Sequence, residues 1–234
     1  MFHFKKFSID DSKSAMKIGT DAVLLGAWVP LENESRILDI GTGTGILALM
    51  MAQRNKNALI DAVELDFEAA KLATENKKLS PWAERIRIFN SSIQDFSSKS
   101  QHAYSLIICN PPFFTDSLKS PQKNRNLARH DDTMPVNELL PLTSELLSKN
   151  GRAAFILPAE AFENWNNVAK QCCIYPSAIT WVKSTSEHKP HRVMVVFTTD
   201  NQAIVIEKDF CIYTSQNNYS LEYVELTDSF YLKF

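Results

Sequence analysis

Residues 37–54 read ILDIGTGTGILALMMAQR. Ile37-Leu38-Asp39-Ile40 is an apolar run of strand length, and an acidic residue sits inside it. Three of the chain's six glycines then fall between Asp39 and Gly45, and the stretch from Ile46 to Arg54 has helical composition. Strand, glycine turn and helix in that order form a unit in which the backbone can approach a ligand closely and the helix start offers unpaired N–H groups. A dinucleotide fingerprint would need glycine where Ile46 stands, and no Gly-Lys-Ser/Thr follows to make a phosphate loop. What remains is Asp-x-Gly-x-Gly-x-Gly, with Gly41, Thr42, Gly43 and Gly45 after Asp39. That pattern suits a zwitterionic, cationic ligand: Asp39 faces an ammonium and the glycine backbone lies along a nucleoside. Glu64, followed by Leu65, comes nineteen residues beyond Gly45 at the end of the next apolar run, the spacing of a carboxylate that accepts ribose hydroxyls. A tight strand-to-helix turn with a surface glutamate would explain the glycines, but neither Asp39 nor Glu64 in its place.

Outward from this unit the pattern repeats. Strand-like runs are expected at Leu59–Leu65, Arg85–Phe89, Tyr104–Cys109, RAAFILP, RVMVVFTT and AIVIEKDFCIY. Helical runs are expected at DFEAAKLATENKKL, at Val136–Leu147 with Asn150-Gly151 as its C-cap, and at AEAFENWNNVAKQC. Thr20 and Asp21 are expected to cap a further helix starting near Ala22, whose AVLLGAW face reads as core. Alternating strands and helices predict a mostly parallel, doubly wound α/β sheet. Residues 115–135 show no periodicity, and a loop of that length in a compact domain is usually functional or disordered.

With 234 residues, 44% apolar and 22% charged, the chain can bury a substantial core in one domain, here taken as residues 1–234. Residues 1–35 are read as an N-terminal segment that lids the site or meets substrate, and 200–234 as a short C-terminal strand extension. No apolar run is long enough to span a membrane, and MFHFKKFSIDDSK lacks the core of a secretory signal. Cys109, Cys172, Cys173 and Cys211 form no C-x2-C pair and read as reduced thiols of a cytoplasmic protein that binds no metal. His188 and His191 have no third ligand at useful spacing. Trp28, Trp82, Trp165 and Trp181 are read as packing residues.

The second informative stretch is LIICNPPFF, residues 106–114. Two prolines fix φ and remove two donors, and Asn110 before them is pushed to extended geometry. An amide, free carbonyls and an aromatic ring are thereby held rigidly at a strand end. Three basic clusters could meet an anionic partner. Lys119, Lys123, Arg125, Arg129 and His130 follow NPPFF directly; Lys5, Lys6, Lys13 and Lys17 lie near the N-terminus; SEHKPHR occupies 186–192.

On these motifs the chain resembles the class I S-adenosylmethionine-dependent methyltransferases, and NPPF is the signature of their amino-methylating members. The resemblance extends to the bacterial valine-tRNA (adenine-37 N6) methyltransferases through FKKFSI, KIGTDAVLLGAW, AVELD, PWAERI, SLK and the basic residues from Arg125 to His130. It implies a Rossmann-like seven-stranded sheet with helices on both faces and the last strand antiparallel. It implies S-adenosylmethionine as cofactor, tRNA as partner, no membrane and no metal, and a monomer. By the same resemblance Asn110 and Pro111 hold the target amine, Pro112 keeps the segment rigid and Phe113 stacks on the base. The cofactor site would comprise Asp39, Gly41, Thr42, Gly43, Gly45, Glu64, Leu65 and Asn110. The residue that meets the cofactor's adenine falls on Ser92 in NSSIQDF, with Asp95 three residues on, so the Ile93 backbone and Asp95 are the candidates. Lys119, Lys123, Arg125, Arg129 and His130 would grip RNA. N5-methylation of a release-factor glutamine, N2-methylation of ribosomal guanine and a catalytically silent RNA-binding module are the competing readings. Only about 35 residues precede the first strand of the fold, too few for the helical domain of release-factor enzymes.

Overall fold

Eight strands form one twisted sheet, and its central strands are largely apolar on both faces because helices cover both. The computed structural model describes residues 1–12, 17–112, 134–216 and 218–233. A two-stranded ribbon, β1 (Phe2–His3) and β2 (Ser8–Ile9), comes first. The main sheet is built from β3 (Arg36–Ile40), β4 (Leu59–Glu64), β5 (Ile86–Asn90), β6 (Tyr104–Cys109), β7 (Leu147–Pro158), β8 (Tyr175–Lys183), β9 (Arg192–Thr198) and β10 (Ile206–Cys211). Their order across the sheet is β10-β8-β9-β7-β6-β3-β4-β5.

The alternation of strand side chains divides the core in two. Ile37, Leu106, Ile108, Ala154 and Ile156 face α1 (Thr20–Trp28), α2 (Ile46–Arg54) and α7 (Leu221–Thr227). Leu38, Ile40, Ile107, Ala153, Phe155 and Leu157 face α4 (Ile93–Lys99), α5 (Val136–Leu146) and α6 (Phe162–Gln171). The helix α3 (Phe67–Lys78) packs on β4 and β5. Phe4, Phe7 and Ile9 are buried with Phe230, so both ends of the chain belong to the first of these layers. Asp61, buried in β4, is balanced by two bonds from Arg87 (2.7 and 2.8 Å) and one from the Tyr104 hydroxyl (2.8 Å).

The expected α/β sheet with helices on both faces is present, with several differences. It has eight strands, not seven, and the antiparallel strand is β9, which lies between β7 and β8; the last strand, β10, runs parallel to β8. The short link from β8 to β9 forces a hairpin there, whereas the chain leaves β9 free to return alongside β8. Asn150-Gly151 is not a helix cap. Helix α5 ends at Leu146, and Asn150 (φ 61°) sits in an excursion of β7 between the partners of Tyr104 and Leu106. Thr20 and Asp21 lie inside α1, whose N-cap is Gly19; Asp21 instead pairs with Arg192 at 2.8 Å. Strand β8, helix α4 and helix α7 have no counterpart among the expected elements. The segment 200–234 thus holds a helix as well as a strand.

Candidate active site

Strand register brings the motif residues to one edge of the sheet. Ile40 at the end of β3 pairs with Val63 of β4 on one side and Cys109 of β6 on the other. The residues that follow, Gly41, Glu64 and Asn110, therefore leave the sheet side by side at its C-terminal edge, where open α/β sheets bind ligands. Gly41 and Thr42 stay attached to this edge by donating to the Val63 carbonyl (2.9 and 3.1 Å).

Gly41, Gly43 and Gly45 all have positive φ (68°, 55° and 87°), conformations that any other residue adopts only with strain. At Gly41 and Gly43 a Cβ would meet nothing within 4 Å, so the absent side chains leave open space above the turn. Beneath it lies Asp39, 0% exposed. Its Oδ2 accepts from the Thr42 hydroxyl (2.5 Å) and from Ala48 N–H (3.1 Å) at the start of α2. Among the described residues nothing hydrogen-bonds to its Oδ1. Asp61 has an arginine; Asp39 has an unused acceptor instead. Burial pushes the Asp39 carboxyl up to about 7, against the pull of the Thr42 and Ala48 bonds, and the charge of Glu64 adds to the rise. Burial, with the negative charges of Asp39 and Glu64, likewise raises the Cys109 thiol, which is a core residue and no nucleophile.

Glu64, half-buried, bridges the two loops of this edge. Its Oε2 accepts Gly43 N–H at 2.8 Å and its Oε1 accepts Asp66 N–H at 3.0 Å. A carboxylate has about four acceptor positions, so two remain for hydroxyl groups. Leu65 beside it is 59% exposed. Across the edge, Asn110 is half-buried and Pro111 buried. Ser92 is the N-cap of α4, accepting Asp95 N–H at 3.1 Å, which occupies its hydroxyl in a structural task. Ile93 is buried as the first residue of that helix, and Asp95 stands exposed in its first turn, where a carboxylate is also favoured by the helix dipole. Phe113 and the cluster Lys119, Lys123, Arg125, Arg129 and His130 lie outside the described residues.

The other two basic clusters are partly neutralised. Lys5 pairs with Asp228 (2.9 Å), and Lys17 donates to the Asp11 carbonyl (2.6 Å); Lys13 is outside the described residues. In the 186–192 segment Arg192 holds Asp21, and His188 shares a 2.7 Å bond with Thr185. Burial, with the neighbouring Arg192 charge, lowers the His191 ring. Among the four tryptophans, Trp165 is buried against Phe155 and Trp28 donates to Thr180 (3.1 Å).

One residue of this edge has no counterpart in the expected set. Asn76, in α3, is 0% exposed and bonds to both Asp10 and the Thr44 carbonyl of the glycine turn. A signal existed: Ala70, Ala73 and Asn76 recur every three residues, which puts an amide on the buried face of an otherwise charged helix.

Residues 12–133 match the family described as the methyltransferase small domain. Three bacterial relatives carry the name tRNA1(Val) (adenine(37)-N6)-methyltransferase. That of Flavobacterium psychrophilum is 43% identical and aligns over all of both chains. That of Bacteroides fragilis is 44% identical over 99% of this chain and 98% of its own. That of Aliivibrio fischeri is 43% identical over 99% and 97%. The fold is similar to a predicted O-methyltransferase from Agrobacterium tumefaciens (TM-score 0.71, 16% identity, 90% of this chain and 96% of that one). It is also similar to a methyltransferase from Pyrococcus furiosus (TM-score 0.59, 17% identity, 85% and 90%).

Proposed function

The chain belongs to the methyltransferase small domain family, and on that premise we propose that it methylates N6 of adenine in tRNA, at adenine 37 of valine tRNA. S-adenosylmethionine is the methyl donor. The observation that carries the reading is the meeting, at one sheet edge, of a glycine turn over a buried carboxylate whose Oδ1 has no hydrogen-bond partner among the described residues and the Asn110-Pro111 end of the adjacent strand. Residues at this edge fit the donor. Asp39 Oδ1 is a buried acceptor suited to an ammonium, the open space over Gly41 and Gly43 admits a nucleoside against backbone, and Glu64 keeps acceptor capacity for ribose hydroxyls. The Ile93 backbone and Asp95 at the start of α4 are the proposed contacts for the adenine.

When bound, the donor supplies an electrophilic methyl on a sulfonium. The protein's own task is the nucleophile. An exocyclic adenine amine is weakly nucleophilic because its lone pair is delocalised into the ring. In our reading the Asn110 side-chain oxygen and the Pro111 carbonyl accept its two hydrogens, drawing them out of the ring plane and aiming the lone pair at the methyl group. As positive charge grows on that nitrogen both acceptors bind it more strongly, which is preorganised transition-state stabilisation. Pro111 and Pro112 hold both acceptors still, and Phe113 stacks on the base. The basic residues Lys119, Lys123, Arg125, Arg129 and His130, next along the chain, are the proposed phosphate contacts. The protein works as a cytoplasmic monomer without a metal ion.

Full-length relatives named for tRNA favour this reading over a glutamine or ribosomal guanine target. The test is transfer of labelled methyl from S-adenosylmethionine to total tRNA that lacks the modification, followed by nucleoside mapping. Label in N6-methyladenosine at position 37 is expected. Label in N2-methylguanosine, or nowhere, would refute it.

A further inference from the structure

We propose that Asn76 is a positioning residue for the cofactor turn, locking the turn to the N-terminal segment at Asp10 so that the two become ordered together. The inference rests on the function proposed above and adds to it a residue 0% exposed and outside every motif named from the sequence.

The reason for Asn76 lies in a carbonyl that helix α2 does not reach. The helix starts after its N-cap Gly45, whose carbonyl takes Leu49 N–H at 3.0 Å, so Ala48 N–H is one of the first-turn donors without a helical partner. Asp39 Oδ2 accepts it, at 3.1 Å. The Thr44 carbonyl, one residue before the cap and on a buried residue between two glycines of positive φ, has no helical donor and needs another. Asn76 Nδ2 supplies it at 2.9 Å. The same amide grips Asp10 at both backbone groups, with Nδ2 donating to its carbonyl (3.0 Å) and Oδ1 accepting its N–H (2.8 Å). Two carbonyls on one side and an N–H on the other fix which end of the amide is nitrogen. Asn76 thus joins three segments: the turn, α3 and the chain leaving β2. Glu64 holds the turn from the other side through Gly43 N–H.

Two measurements test this. In Asn76→Leu the Thr44 carbonyl is stranded, and the dissociation constant for S-adenosylmethionine should rise about tenfold, the scale expected for one buried unpaired group. At saturating donor and tRNA, kcat should stay within about twofold of the parent, because the amine-holding residues are untouched. Thr143→Val is the control for simple destabilisation. Thr143 is equally buried and bonds only within α5, so its loss should lower the melting temperature and leave donor affinity alone. Second, in the unaltered protein, adding S-adenosylmethionine should slow hydrogen exchange at the Asp10 amide, and Asn76→Leu should abolish that response. Should Asn76→Leu fail to fold, exchange in the parent and affinity in Asn76→Ser decide. Donor affinity unchanged in the Asn76 variants, or Asp10 exchange indifferent to the donor, would make Asn76 an ordinary core amide. A parent protein that bound no S-adenosylmethionine would overturn the proposed function as well; a parent that bound it with Asn76 indifferent would overturn this proposal alone.

Discussion

Lowering the pH from 8 to 5.5 should weaken S-adenosylmethionine binding through one group, Asp39. Its carboxyl is raised from 3.8 to about 7 because it is buried without a cation. The group is thus protonated in the ligand-free protein below about pH 7, and an ammonium placed at Oδ1 requires it ionised. Affinity should then fall about tenfold per pH unit below 7, or roughly thirtyfold at pH 5.5, and level off above 7 until the ligand's own α-amino group titrates near 7.7–8.0, roughly. Calorimetry at pH 6 in two buffers of different ionisation enthalpy should show close to one proton released per ligand bound. Two groups surround Asp39 electrostatically: Glu64, whose charge raises it, and Cys109, a raised and therefore neutral thiol in this range. 5′-Methylthioadenosine, which lacks the amino-acid moiety, should bind with no such pH dependence, and Asp39→Asn should remove the dependence for the full ligand. The same group affects folding in the opposite sense to a salt-bridged carboxylate. A carboxyl with a raised folded-state value binds more protons folded than unfolded between pH 3.8 and about 7. Its contribution to stability is therefore present at low pH and is lost as pH rises through that window. At about 1.4 kcal/mol per pH unit the change is on the order of 4 kcal/mol, read as the difference between parent and Asp39→Asn. Affinity for S-adenosylmethionine that is flat from pH 5.5 to 7, or equally steep in Asp39→Asn, would remove Asp39 from the ammonium site.

Asn110→Ala should fold and bind donor but lose about 10²–10³ in kcat, as for a lost transition-state partner; turnover within a few-fold of the parent would refute the account of amine orientation. Glu64→Ala removes the acceptor for Gly43 and Asp66 N–H as well as the proposed ribose contact, and should weaken donor binding by about 1–3 kcal/mol in calorimetry. Unchanged affinity would place Glu64 outside the site. Gly26→Ala drives a methyl group to 2.6 Å from Met50 Sδ where α1 crosses α2, and should cost about 1–3 kcal/mol in urea unfolding without altering donor affinity. A midpoint equal to the parent's would mean that the Met50 side chain swings aside freely.

The glycine turn, Glu64 and the NPP segment were legible because each is contiguous: a strand end, the residues that must follow it and the punctuation between them carry the chemistry in a single stretch. What those residues do to one another was not legible. That Glu64 accepts a hydrogen bond from Gly43 depends on β4 docking beside β3. Strand β8 escaped notice because Pro176 interrupts YPSAITWVK and the strand carries an irregularity there that blurs its alternation. Asn150-Gly151 has the composition of a helix stop but serves an excursion of a strand.

By itself the sequence determined the alternating α/β plan, the identity of the turn and the rigidity of the Asn-Pro-Pro segment, because periodicity and turn residues act over a few positions of chain. Only the tertiary structure decided that β9 runs against its neighbours while β10 runs with β8, since strand direction follows from which edges remain unpaired once the sheet is assembled. Only the tertiary structure left Asp39 Oδ1 without a hydrogen-bond partner among the described residues and put Asn76 under Thr44, 32 residues away. Burial and the satisfaction of buried polar groups are properties of the packed interior, and partners distant along the chain settle them together.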